Sequence, residues 1–218
     1  MKSIHGWRKI QILRLLILSN PQTAEACKIL NCFFQFGMNK VPNKLIALFR
    51  GINVGGKNIL PMKGLVEILE DMGCEDIKTY IQSGNVVFQI KQGKPNKIAK
   101  EISLKILENY GFEPKVLLLE LADLQAAIDN NPFETKDGKA LHFFFLASHP
   151  ESPDLEQLFA IKSDSEEFKL IRNIFYLYAP DGIGRSKLAA KVEKSMGVPV
   201  TARNWNTVSK LSSIIELA

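Results

Sequence analysis

The residues best suited to chemistry form a basic, glycine-rich stretch after the apolar run LIALF at 45–49. Its members with anion-binding potential are Arg50, Gly51, Asn53, Gly55, Gly56 and Lys57. A glycine loop can turn several backbone N–H groups toward one point, and cations beside it favour a negative charge there. The stretch therefore predicts an anion-binding loop between a strand and the helix that Pro61 opens.

The same stretch has two other interpretations. It satisfies the nucleotide-binding pattern G-x-x-x-x-G-K from Gly51 to Lys57, but Asn58 stands where a Ser or Thr would hold Mg²⁺. Pro61 also indicates a helix that begins too late, so a P-loop nucleotidase is disfavoured. A purely structural turn, in which glycine supplies a positive φ, explains the glycines as well as an anion site does.

Three further polar motifs could act with this loop. The hairpin tip QSGN at 82–85 and the runs GIGRSK at 182–187 and TARNWN at 201–206 combine turn residues with amide or cationic side chains. A plain turn explains the hairpin tip equally well. The predicted ligand-binding set is completed by Gln82, Ser83, Asn85, Arg185, Lys187, Arg203, Asn204 and Asn206.

No catalytic residue, metal site or cofactor follows from the sequence, and whether the protein is an enzyme stays open. Ser83 is a poor nucleophile candidate because no histidine or lysine is visibly committed to it. His142 and His149 favour structural roles, since neither has an evident orienting partner. The three cysteines lack C-x-x-C spacing, which supports neither a zinc site nor a disulfide framework and favours a reducing cytoplasm.

Hydrophobic periodicity predicts the order βαββαβ twice, with a linking helix between the halves. The strands are predicted at 44–50, 77–81, 86–90, 115–119, 141–147, 168–171, 174–178 and 198–201. The helices are predicted at 62–72, 98–110, 121–130, 153–161, 186–196 and 204–217. This order predicts an α/β (α+β) fold of two ferredoxin-like βαββαβ units in tandem, with a C-terminal amphipathic helix.

The predicted units occupy residues 41–120 and 121–218, and residues 1–40 form an N-terminal extension. Right-handed crossovers would make the first and second strands of each unit parallel, and the third and fourth likewise. Loops that follow parallel strands leave the same edge of a sheet. We therefore expect loop 50–57 to lie beside turn 82–85, and loop 182–187 beside 201–206.

Charge and hydropathy separate the first 37 residues from the rest. The net charge of the 218 residues is +5, and four of these excess charges lie in 1–37, where five cations accompany Glu25 alone. The remainder is close to neutral, which weakens a nucleic-acid interpretation of the high pI. Arg14 interrupts the N-terminal apolar run, so a misassigned start or dispensable extension is favoured over a targeting segment or accessory helix, and no membrane partner is predicted.

Four motifs in the same order resemble one known family. The runs RGINVGGKN, YIQSGNVVF, GIGRSKLA and TARNWNTVSKL are similar to the bacterial family catalogued as domain of unknown function 1697. The resemblance extends from about Met38 to the end of the chain. It implies a two-unit α/β fold and no established activity, substrate or cofactor.

Three functions are compatible with these residues. The first is binding of a small phosphate- or nucleotide-like anion, with an acylphosphatase-like hydrolase as an alternative in which Arg50 would cradle phosphate and Asn85 would position water. The acylphosphatase loop pattern itself is absent. The second is nucleic-acid binding, although the strand NVVFQI lacks the basic-aromatic pattern of RNA-binding sheets. The third is a homodimeric or partner-binding module.

Overall fold

Two four-stranded antiparallel sheets and six helices make up the mixed α/β fold of the described residues. A computed structural model describes residues 43–82, 84–91 and 93–217. The strands are β1 (Asn43–Arg50), β2 (Glu75–Tyr80), β3 (Asn85–Ile90), β4 (Lys115–Glu120), β5 (Leu141–Leu146), β6 (Glu167–Ile171), β7 (Ile174–Tyr178) and β8 (Val200–Asn204). The helices are α1 (Met62–Asp71), α2 (Pro95–Tyr110), α3 (Leu121–Asp129), α4 (Leu155–Ile161), α5 (Val192–Met196) and α6 (Trp205–Leu217).

The two sheets have the same strand order. It is β2-β3-β1-β4 in the first sheet and β6-β7-β5-β8 in the second. Because β1 and β2 both run antiparallel to β3, they are parallel to each other, and the loops that follow them leave one edge. Asn53 Nδ2 donates to Gln82 O over 3.0 Å, which confirms the predicted proximity of loop 50–57 and turn 82–85.

Three hydrophobic clusters arrange these elements in layers. On β1, Leu45 and Phe49 pack with α1 and α2, while Ile46 and Leu48 belong to a cluster shared by both sheets. Residues of α3 and α6 complete the shared cluster. On the far side of the second sheet, Phe144 packs with α4 and α5. Both faces of β1 and β5 are therefore covered, which explains why these strands are continuously apolar.

Two predicted elements in the second half differ from the structure. The helix expected at 186–196 is helical only in α5, and residues 186–191 form turns in which Ser186 Oγ accepts a hydrogen bond from Ala189 N over 2.9 Å. Leu188 and Val192 are nevertheless both fully buried, so turns packed on the sheet satisfy the same apolar spacing as a helix. The strand expected at 198–201 begins at Val200 instead and extends to Asn204. Its pairing with β5 continues through the polar residues as far as Asn204.

Several predictions concern residues that the structure does not describe. The N-terminal extension at 1–40 and Ser83 lie outside the described residues. Among the residues that are described, no helix is long and apolar enough to cross a membrane. The same part of the chain places no three His, Cys, Asp or Glu residues together where they could hold a metal ion. The unit boundaries at 41–120 and 121–218 stay a prediction.

Candidate functional site

The glycine-rich loop after β1 is a small β-hairpin with an exposed tip. Val54 and Lys57 form an isolated antiparallel bridge, in which Lys57 N donates to Val54 O over 3.1 Å. Gly55 and Gly56 fill the turn with φ values of 58° and 73°, the left-handed pair that a two-residue type I′ turn requires. Because α1 begins only at Met62, this loop does not lead directly into a helix N-terminus as a P-loop does.

Two asparagines hold this hairpin from within. Asn53, at a φ of 53°, donates through Nδ2 to Leu60 O over 2.9 Å and accepts from Leu60 N over 2.8 Å. Asn58 Nδ2 donates to Gly51 O over 2.8 Å. With its bond to Gln82 O, Asn53 thus connects both ends of the loop to the β2–β3 turn. The Asn53 side-chain amide, which we predicted to bind a ligand, is therefore already hydrogen-bonded within the protein.

Arg50 reaches from the end of β1 in the first sheet to the second. Its Nη1 donates to Val200 O over 3.0 Å, and its Nη2 donates to a Glu193 carboxylate oxygen over 2.5 Å. Lys115 Nζ lies 3.7 Å from the other Glu193 oxygen. The hydrogen bond to Glu193 raises the pKa of Arg50, and the same bond lowers the pKa of Glu193. Both side chains remain about one-third exposed, so water screens this pair.

Arg203 on β8 makes the reciprocal connection from the second sheet to the first. Its Nε donates to Asn85 Oδ1 over 2.5 Å, and its Nη2 donates to Phe49 O and Gly84 O over 2.6 and 3.2 Å. Burial lowers the pKa of Arg203 to about 10, so the guanidinium remains charged at neutral pH. One side chain therefore ties β8 to the end of β1 and to the start of β3.

A cleft of about 410 Å³ lies between the hairpin and the turns that precede α5. Gly51 and Val54 line it on the hairpin side, and Ala190 lines it on the other. Its charged lining residues are Arg50, Glu193 and Arg203. Each of these charges already has partners across the two sheets, so an anion bound here would compete with the contacts that join them.

Arg185 and Lys187 line a different cavity of about 420 Å³, between residues 182–187 and the loop that follows α4. We name it the 182–187 groove. Within the part of the chain that the structure describes, neither side chain makes a hydrogen bond or ion pair, and both residues are exposed. The motifs at 182–187 and 201–206 therefore contribute to separate cavities, since Arg203 lines the cleft.

The other predicted site residues have mainly local contacts. Asn204 Oδ1 accepts from Thr207 N over 3.0 Å, a bond that satisfies a free N–H in the first turn of α6. Asn206 lies so close to Gly138 that a Cβ added there would be 2.0 Å from its Oδ1. Asn85 is fully buried and donates through Nδ2 to Tyr80 O. The exposed Gln82 contributes its main-chain oxygen, and the ligand-binding roles of these residues stay predictions.

Three charged residues of these surfaces were missing from the predicted set. Glu193 is the only acidic residue between 182 and 210, and a single acid among cations is a usable signal for an ion pair. Lys115 gave no such signal, because β4 brings it to Glu193 from a distant part of the chain. Glu166 is only 5% exposed, although it lies in the polar run SDSEE, which predicts a solvated loop.

Comparison with known proteins identifies the family. The family described as Protein of unknown function (DUF1697) matches residues 43–176. This chain belongs to that family. A solved structure, that of the conserved bacterial protein SP0830 from Streptococcus pneumoniae, is similar to it at 26% sequence identity and a TM-score of 0.60, covering 80% of this chain and 99% of that chain. No curated protein matches the chain. The predicted family is therefore confirmed over residues 43–176, a range that contains the motifs RGINVGGKN and YIQSGNVVF. The motifs GIGRSKLA and TARNWNTVSKL lie beyond this range, so the predicted extent to the end of the chain stays a prediction.

Proposed function

We propose that this protein binds a small anionic ligand, phosphate- or nucleotide-like or carboxylate-bearing, in the 182–187 groove. The proposal rests on the two exposed cations of this groove, which have no partner in the described part of the protein. Arg185 and Lys187 line one cavity and, among the described residues, have no side-chain partner. Arg50 and Arg203, by contrast, already donate to oxygens of the opposite sheet. A cationic side chain that is not already hydrogen-bonded or ion-paired is available to bind an anionic ligand.

The loop after α4 adds a third cation to the groove. Lys162 Nζ donates to the main-chain oxygens of Ser163 and Glu166 over 3.3 and 3.1 Å. The acidic lining residues are Glu166 and Asp181. Three cations against two carboxylates give a modest positive excess, which suits a small anion better than a polyanion such as RNA.

A thermal-shift screen tests this proposal on the full chain. Inorganic phosphate, mononucleotides, acetyl phosphate and short RNA are compared, and a ligand at a hundredfold excess over Kd should stabilise the protein by about 2.7 kcal/mol. For a chain of this size that corresponds to a rise in Tm of roughly 5–10 °C. Arg185→Ala and Lys187→Ala should each reduce the rise, while Lys100→Ala, an exposed lysine on α2, should not.

The panel also separates the alternatives. Release of phosphate from acetyl phosphate would support an acylphosphatase-like hydrolase, and a response that grows with RNA length and falls steeply with salt would support nucleic-acid binding. If no small anion shifts the Tm of the folded protein, the proposal is wrong.

A second candidate is self-association through the hairpin surface, which we define as Val54, Ile59 and Ile81. These residues are 66%, 57% and 52% exposed, and they lie on the two loops that Asn53 joins. Ile81 also has a φ of 52°, which is strained for a β-branched residue. Light scattering after size exclusion should then show a dimer that Val54→Ser converts to a monomer.

We also propose that the two sheets are ferredoxin-like units produced by duplication, and that the protein is cytoplasmic. The shared strand order and the repeated β-α-β-β-α-β order support the first proposal. An experimental structure in which residues 43–120 superpose closely on 141–204 would test it. The absence of a C-x-x-C pattern and of a disulfide framework in the sequence supports the second.

A further inference from the structure

We infer that the 182–187 groove takes a zwitterionic ligand, one that carries a protonated amine together with its phosphate or carboxylate. This inference rests on the proposed function, because Arg185 and Lys187 would hold the anionic end. The amine would be held by Glu166, which no motif of the sequence had singled out.

Glu166 is a buried carboxylate in the wall of the groove. It is 5% exposed, and Ser163 N donates to its Oε2 over 2.9 Å. Glutamates are rarely buried to this extent unless they are paired, because removing the charge from water is costly. The backbone N–H engages only Oε2. Among the described residues His142 Nε2 is the one buried side-chain N or O atom without a partner, so Glu166 Oε1 is still accessible to solvent and to a bound ligand.

The neighbouring cation does not neutralise this carboxylate. Lys162 directs its ammonium to the main-chain oxygens of Ser163 and Glu166 instead. Within the described part of the chain, the Glu166 carboxylate forms no ion pair. Asp181, the other acid of the lining, accepts a hydrogen bond from Ser165 Oγ over 2.6 Å. Each acid thus accepts one hydrogen bond at one oxygen, and Glu166 is the buried one of the two, while Asp181 is exposed to water.

Charge complementarity then selects the class of ligand. The groove already contains two carboxylates, Glu166 and Asp181, and an anion without an amine would bind the cations but leave Glu166 without a cationic partner. A ligand that also carries an ammonium satisfies Arg185, Lys187 and Glu166 together. A volume of about 420 Å³ lies in the range of small-molecule sites and accommodates both groups.

The test compares matched ligands that differ only in the amine, using calorimetry on the full chain. Phosphoethanolamine is compared with ethyl phosphate, and β-alanine with propionate. We expect the amine-bearing member of one pair to bind at least tenfold more tightly, and the pair that responds identifies phosphate or carboxylate as the anionic group. This measurement needs no variant, so it stands even if substitutions disturb folding.

Glu166→Gln provides the second arm, because glutamine retains an oxygen that can accept from Ser163 N. The variant should lose the amine preference while binding ethyl phosphate or propionate at least as tightly as before. Arg185→Ala should weaken all ligands of the responding pair.

The outcomes separate the two proposals. Equal affinities within each pair, with binding that still depends on Arg185, would overturn the zwitterion inference and leave anion binding in place. An amine preference that survives Glu166→Gln would overturn the role of Glu166. If none of the four ligands, nor phosphate or nucleotides, binds the folded protein, both proposals are wrong.

Discussion

Replacing Arg203 by alanine should destabilise the protein by about 3–5 kcal/mol. The substitution removes the donor to Asn85 Oδ1, Phe49 O and Gly84 O. A hydrogen bond from a charged group contributes roughly 1.5–3 kcal/mol, and a buried oxygen left without a partner costs about 1–3 kcal/mol. Asn85 is fully buried and Phe49 is 1% exposed, so water has little access to replace the guanidinium. The range lies below the simple sum because Arg203 itself is only partly buried.

Urea unfolding and calorimetric Tm measure this loss. For a chain of this size we expect the Tm to fall by roughly 6–20 °C. Arg203→Lys should recover less than half of the loss, because an ammonium keeps the charge but lacks the planar fork that reaches several oxygens at once. Arg185→Ala is the matched control, since this exposed arginine has no side-chain partner among the described residues and should change stability by less than about 0.5 kcal/mol.

Three results would refute this reasoning. A loss below about 1 kcal/mol for Arg203→Ala would show that the hydrogen bonds do not hold the two sheets together. An equal loss in the Arg185 control would indicate a general effect of charge. Full recovery of stability in Arg203→Lys would show that the positive charge alone, and not the geometry of the guanidinium, explains the loss.

Three further predictions concern buried positions. Gly84→Ala should destabilise the protein more than Gly55→Ala, as measured by urea unfolding. Both glycines have a positive φ, but only a Cβ at position 84 would meet another side chain, at 2.6 Å from Phe49 Cβ. Equal losses of stability in the two variants would contradict this prediction. Burial lowers the pKa of His142 from 6.5, so its contribution to stability is complete above that pH and is lost as the pH falls below it. His142→Leu should therefore make stability fall less steeply as the pH is lowered below 6.5. Burial raises the pKa of Cys74 from 9.0 to about 11, so stability should fall as pH rises through this window, and Cys74→Ala should reduce that slope.

Local sequence patterns were sufficient for most of the secondary structure. The apolar runs of β1 and β5 predicted strands because a strand covered on both faces has no polar side. The strands predicted at 168–171 and 174–178 leave Arg172 and Asn173 for the turn between them, and the structure has that turn, with a φ of 52° at Arg172. The pattern failed at 186–191, because buried residues spaced four apart are equally compatible with a helix and with turns packed on a sheet.

The sequence by itself determined the family and most of the strands and helices of both halves, and it offered the positive-φ turn at Gly55 and Gly56 as one interpretation, because these depend on local residue types or on motif order. Only the tertiary structure decided what the charged residues do. Arg50 donates to the main-chain oxygen of Val200, 150 residues away in the sequence, and Arg203 donates to Asn85, 118 residues away. The type of a side chain determines which hydrogen bonds it can donate, but the packing of the two sheets determines which acceptor lies within reach. The same packing buries Glu166 while it leaves Arg185 and Lys187 exposed, and no local pattern carries that information.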